Sequence, residues 1–164
     1  MKIARSRYDV FVEFICLLCL FGLVLYLMIA WPNIPDEIPG HYNTAGEITR
    51  MTNKGSLIVL PVISLIMYAG MSIIERFSQI WNTGITVTEG NKEEVYRTLK
   101  NLLGTVKLLI VVNFSYLTVC SSRPKPLPVY YTPVFLFLMF AILVSDKSTM
   151  FLLLQFNRFA LNLI

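Results

Sequence analysis

Charged residues in this chain fall into blocks separated by long uncharged stretches, and that spacing restricts the fold more than any motif does. There are 22 uncharged residues between Glu13 and Asp36, 20 between Lys54 and Glu75, and 20 between Lys125 and Asp146. A hydrocarbon core of about 30 Å, crossed at 1.5 Å per residue, needs about 20 residues, and a helix satisfies its own backbone there. Each stretch is long enough. The composition agrees: 15% of the 164 residues are charged and 55% hydrophobic, against roughly 25% charged in an average soluble domain. A soluble domain of this size would leave much of that apolar surface outside, so the solvent expected is lipid.

A fourth stretch, Leu102 to Ser122, is interrupted by Lys107, which leaves 15 uncharged residues from Leu108 onward. It still counts as a span, because a lysine near a helix end can snorkel to the headgroups. The reading is an all-α integral membrane protein, one domain over residues 1–164. Its four transmembrane helices cover about 10–30, 56–74, 102–122 and 128–145, with a structured loop at 31–55 and an amphipathic tail at 148–164. The first apolar run exits through Trp31 and Pro32 without a small-x-small cleavage pattern, so it reads as an uncleaved anchor. Cys16, Cys19 and Cys120 sit in apolar surroundings and read as small hydrophobes, not as a disulfide or metal framework.

Orientation follows from lysine and arginine in the short connections. With the amino terminus inside, one side collects Lys2, Arg5, Arg7, Arg76, Lys92, Arg97, Lys100, Lys147 and Arg158. The other holds Arg50, Lys54, Arg123 and Lys125. Both termini are therefore expected in the cytoplasm, with the first loop outside. This bias accounts for the formal net charge of +4 without nucleic acid. Asn91 followed by Glu94 has the form of a capping box, and Val95, Leu99, Leu102, Leu103 and Val106 continue at helical spacing, so the third helix starts in water before entering the membrane. In the tail, Gln155, Arg158 and Asn162 share one side of a helical wheel, which predicts an interfacial helix, with an extension of the fourth helix as the other reading.

Ionisable residues inside a span are functional candidates. Glu13 and Lys107 each lie about one turn inside a helix entering from the same side, so they are expected to form an ion pair or share a polar network. On that reading, exchanging the two residues restores folding. The other reading is a ladder of Arg5, Asp9 and Glu13 on one helical face. Asn113 adds a polar group midway along the third helix, expected to bond to another helix.

The loop from Trp31 to Gly55 is the most distinctive segment. Pro32, Pro35 and Pro39 restrict its backbone, and Asn43 and Gly46 suit turn positions, so it is expected to fold over the outer mouth of the bundle. His41, Asn43 and Glu47 offer polar contacts to a ligand, Trp31 and Tyr42 apolar ones, while Pro39, Gly46 and Lys54 shape the loop. A lone histidine with Asp36, Glu37 and Glu47 at no recognised ligand spacing falls short of a metal site. No nucleophile, base and orienter match a catalytic motif, and Gly84 and Gly90 around Ile85 to Thr88 make no phosphate-cradling loop. No cofactor is expected.

Ile38, Pro39, His41, Tyr42, Asn43, Gly46, Glu47 and Lys54 together resemble the IPxHxNxxGxxxxxxxK signature of a bacterial membrane domain of unknown function, the 1648 family, found in SdpI-type immunity proteins and their relatives. The resemblance carries over Pro39, His41, Asn43, Gly46 and Lys54. It implies a plasma-membrane protein and, in the SdpI-type branch, immunity to a secreted killing peptide linked to signalling. The functional expectation is a non-enzymatic envelope protein that senses or resists an extracellular peptide or membrane-active compound. A cytoplasmic regulator or membrane partner would dock near Arg97 and Lys100, and the oligomeric state stays open. A small transporter or accessory transport subunit, using Glu13, Lys107 and Asn113, is the alternative; a metal-dependent membrane enzyme centred on His41 is the third.

Overall fold

The computed structural model describes residues 4–78, 81 and 87–145, the last three as backbone. The predicted tail helix, with Lys147 and Arg158, lies outside the described residues, as do Lys2, Gly84 and Ile85. The chain is mostly helical, with α1 at Arg7–Ala30, α2 at Val59–Arg76, α3 at Lys92–Ser121 and α4 at Tyr131–Ser145. Between α1 and α2 lies an antiparallel hairpin of β1, Glu37–Tyr42, and β2, Ile48–Asn53. The all-α expectation is corrected by that hairpin.

Among the described residues three segments are long and apolar enough to cross a membrane: Arg7–Asn33, Lys54–Arg76 and Lys92–Ser121. The first and second join α1 and α2 to the 3-10 turns Trp31–Asn33 and Lys54–Ile58. Helix α4 is a shorter apolar helix, and its 15 residues give about 22 Å at 1.5 Å each. The expectation of four spans is thus met by three of full length. Along α1, Phe11, Phe14, Phe21 and Met28 stay exposed, as a lipid-facing surface requires.

Helix starts are chemically specified. Ser6 caps α1 in a reciprocal box: its hydroxyl accepts from the Asp9 amide at 3.1 Å while the Asp9 carboxylate accepts from the Ser6 amide at 2.8 Å, satisfying donors a helix leaves open. Asn91 occupies the cap position of α3, but its side chain accepts from the Thr88 amide at 2.7 Å, outside the helix, and makes no cap bond into α3. The box expected of Asn91 and Glu94 is therefore absent. Helix α3 does begin well before the apolar stretch, at Lys92, as the periodicity from Val95 predicts.

Helix α3 packs against α1 and α2, and α4 packs on α3. Val12, Cys16 and Val111 form one core with Leu20, Tyr68 and Leu108 around it. A second core, Ile34, Ile38 and Leu57, sits beneath the hairpin. Cys16, Cys19 and Cys120 are free.

Candidate functional site

Two polar regions stand at opposite ends of the bundle. At the hairpin end, β1 carries a proline that a central strand would reject. In a two-stranded sheet every strand is an edge, so Pro39 is tolerated and pairs with Met51. The register slips on either side of His41, and Gly40 permits the irregularity: a Cβ there would lie 2.7 Å from Thr52 Cγ2. Asn43 builds the turn. Its Oδ1 accepts from the amides of Ala45 and Glu47 at 3.0 and 2.9 Å, and its Nδ2 donates to Glu47 Oε2 at 2.8 Å. Gly46, at φ +85, occupies the left-handed region that favours glycine.

The turn is docked onto the α3–α4 connection. The Leu127 amide donates to the Gly46 carbonyl at 2.8 Å, and a Cβ on Gly46 would approach Leu127 O to 2.7 Å. Lys54 ties down the base of the hairpin: its ammonium donates to the carbonyls of Trp31 at 2.5 Å and Ile34 at 2.8 Å. It also lies 5.0 Å from the Trp31 ring centroid, within cation–π range. Asn43, Glu47, Gly46, Lys54 and Trp31 therefore hold the loop together. Asn43 also lines the cleft described next.

A cleft of about 570 Å³ opens beneath the docked hairpin, within the range of ligand sites. Its floor is apolar, with Ile38, Leu57, Leu60, Leu117 and Leu127; its polar lining includes His41, Tyr42, Arg50, Thr52, Ser121 and Thr132. The Thr49 hydroxyl donates to the His41 carbonyl at 3.3 Å and meets His41 Nδ1 at 2.6 Å. Tyr42 reaches the Ser121 hydroxyl at 3.4 Å. Burial pushes the Tyr42 phenol up from its ordinary 10.0, opposed by the Ser121 contact.

The opposite region lies inside the spans. Lys107 is 1% exposed, and its ammonium donates to Glu13 at 3.0 Å, Glu75 at 2.9 Å and Ser72 at 3.3 Å. The Tyr68 hydroxyl donates to the other Glu13 oxygen. One cation thus joins three helices, while Glu75 Oε1 is buried without a hydrogen-bond partner among the described residues. One turn further toward the end, Asp9 pairs with Lys100 at 2.8 Å and Arg97 at 3.2 Å. Among the described residues no ion pair joins Arg5 to Asp9, so the ladder expected along α1 is replaced by bonds between α1 and α3. Arg97 and Lys100 are thus both paired with Asp9. Asn113 accepts from the Tyr131 hydroxyl at 2.5 Å, joining α3 to α4.

Sequence reasoning missed Glu75, Arg50, Leu117 and Leu127. The β-branched Ile48, Thr49 and Thr52 after an Asn-to-Gly turn are a hairpin signal, and pairing would have set Arg50 opposite His41. Among the described residues no group of three or more His, Cys, Asp or Glu side chains is placed to hold a metal ion.

No curated protein and no solved structure matches the chain. The family comparison falls on α1, the hairpin and the start of α2: residues 17–65, the segment that builds and anchors the cleft's hairpin, match the family described as Domain of unknown function (DUF1648).

Proposed function

We propose that this chain is a non-enzymatic bacterial envelope protein that binds an extracellular amphipathic peptide or membrane-active compound in the cleft beneath the hairpin, and thereby senses it or confers resistance to it. One observation carries the reading: the cleft combines an apolar floor with a polar rim at the level where α2 and α4 begin and α3 ends. An amphipathic molecule lying in a bilayer surface presents the same division of polarity. On this reading the hairpin faces outward, both termini are cytoplasmic, α4 is the fourth span, and the SdpI-type immunity proteins are the functional analogue.

Transport draws less support, because the polar groups that a path would use are already bonded between helices: Glu13 and Lys107 to each other, and Asn113 to Tyr131. A cell lacking this protein and sensitised to a membrane-active peptide tests the reading. Wild type and the remote control Glu94→Gln are expected to restore resistance equally, while Leu117→Trp, which fills the cleft floor, is expected to fail at equal membrane abundance. Full rescue by Leu117→Trp would overturn it.

A further inference from the structure

The charge of the cleft points to a more specific occupant. Arg50 lines it, and no Asp or Glu does. Arg50 is exposed and makes no ion pair among the described residues. The carboxylate of the turn, Glu47, is held by the Asn43 amide at 2.8 Å. A guanidinium left unneutralised above an apolar floor is complementary to an anionic head joined to acyl chains, and its planar fork suits phosphate oxygens.

The position selects the source of that anion. The cleft is lined by Val59 and Leu60 at the start of α2, Leu117 and Ser121 at the end of α3, and Tyr131 and Thr132 at the start of α4. Those are the ends of apolar helices, where headgroups meet hydrocarbon. Trp31, Tyr42, Tyr130 and Tyr131 lie in the same end of the molecule, as aromatic residues do at membrane interfaces.

We propose that the cleft holds a single anionic phospholipid of the surrounding bilayer, its phosphate at Arg50 and its acyl chains along Leu60 and Leu117. The inference rests on the cleft being a binding site, and adds that the site is filled by lipid before any peptide or compound arrives. An incoming amphiphile then displaces the lipid, which couples its binding to the bilayer's anionic content.

The test uses the full purified chain in detergent, equilibrated with equal amounts of phosphatidylglycerol and phosphatidylcholine carrying identical acyl chains. Retained lipid is counted by native mass spectrometry. Wild type is expected to retain phosphatidylglycerol over phosphatidylcholine by about tenfold, the scale of one charge-assisted contact. Arg50→Gln is expected to lose the preference, and Arg123→Gln, at the same end but outside the cleft, to keep it. Leu117→Trp is expected to lose the retained lipid while its thermal unfolding shows a folded protein. Equal retention of both lipids by wild type overturns the inference, as does an undiminished preference in Arg50→Gln or an equal loss in Arg123→Gln. Lipid preference together with full resistance in cells carrying Leu117→Trp would retain the lipid site and remove the proposed function.

Discussion

The two polar regions of this molecule solve opposite problems. Around Lys107 the charges are buried in the spans and bonded to one another, so the region closes the bundle and leaves little for a ligand to recognise. Around the hairpin Asn43, Glu47 and Lys54 are spent on folding the loop, while the cleft keeps an arginine without an ion pair among the described residues, beside His41, Tyr42 and hydroxyl groups over an aliphatic floor. Burial of charge is thus an unreliable guide to the binding site here. The ionisable residues most conspicuous in the sequence serve architecture, and the candidate site is assembled from residues that attract no attention individually.

The largest expected effect breaks the Lys107 region. Lys107→Ala leaves Glu13 and Glu75 without their shared cation, and removing one partner of a buried pair costs about 3–5 kcal/mol; thermal unfolding in detergent is expected to show a severe loss. Exchanging Glu13 and Lys107 is not expected to restore stability, contrary to the expectation from the sequence, because Lys107→Glu sets a carboxylate against Glu75. Full recovery in the double variant would show that Glu75 plays no part.

At the other end, Gly46→Val introduces a side chain at positive φ and against Leu127 O. A strained residue costs about 1–3 kcal/mol, and the expected outcome is a hairpin released from the α3–α4 connection, read as protease cleavage between Tyr42 and Ile48. Lys54→Met removes two charge-assisted bonds to the Trp31 and Ile34 carbonyls, each worth about 1.5–3 kcal/mol in a sheltered setting. Partial exposure places the combined loss at the low end, and it should appear in unfolding without disturbing the Lys107 region.

The smallest effect concerns pH. Tyr42 has its phenol raised in the folded protein by burial, so its contribution to stability is present below the ordinary value of 10.0 and is lost as pH rises through the higher folded value. Tyr42→Phe is therefore expected to make the alkaline loss of stability shallower than in wild type, as unfolding midpoints measured across that window would show.

The apolar helices were legible because hydrocarbon thickness acts on local sequence: the uncharged stretches locate α1, α2 and α4, and the periodicity from Val95 carries α3 back beyond its apolar stretch. The hairpin was obscured by its prolines, which weigh against a strand unless its edge position is known. Glu75 was hidden for a related reason: it reads as the polar flank of a span until three-dimensional packing turns it toward Lys107. The cleft needed the most distant information, since Arg50, Leu117, Leu127 and Thr132 come from four separate segments and meet only when the turn docks.

That docking is the central claim, and hydrogen exchange at the Leu127 amide, followed by NMR in lipid nanodiscs, tests it most directly. The bond to Gly46 O predicts slow exchange in wild type and fast exchange in Gly46→Val. Fast exchange of this amide in wild type would mean that the hairpin does not close over the bundle, and the cleft would go with it.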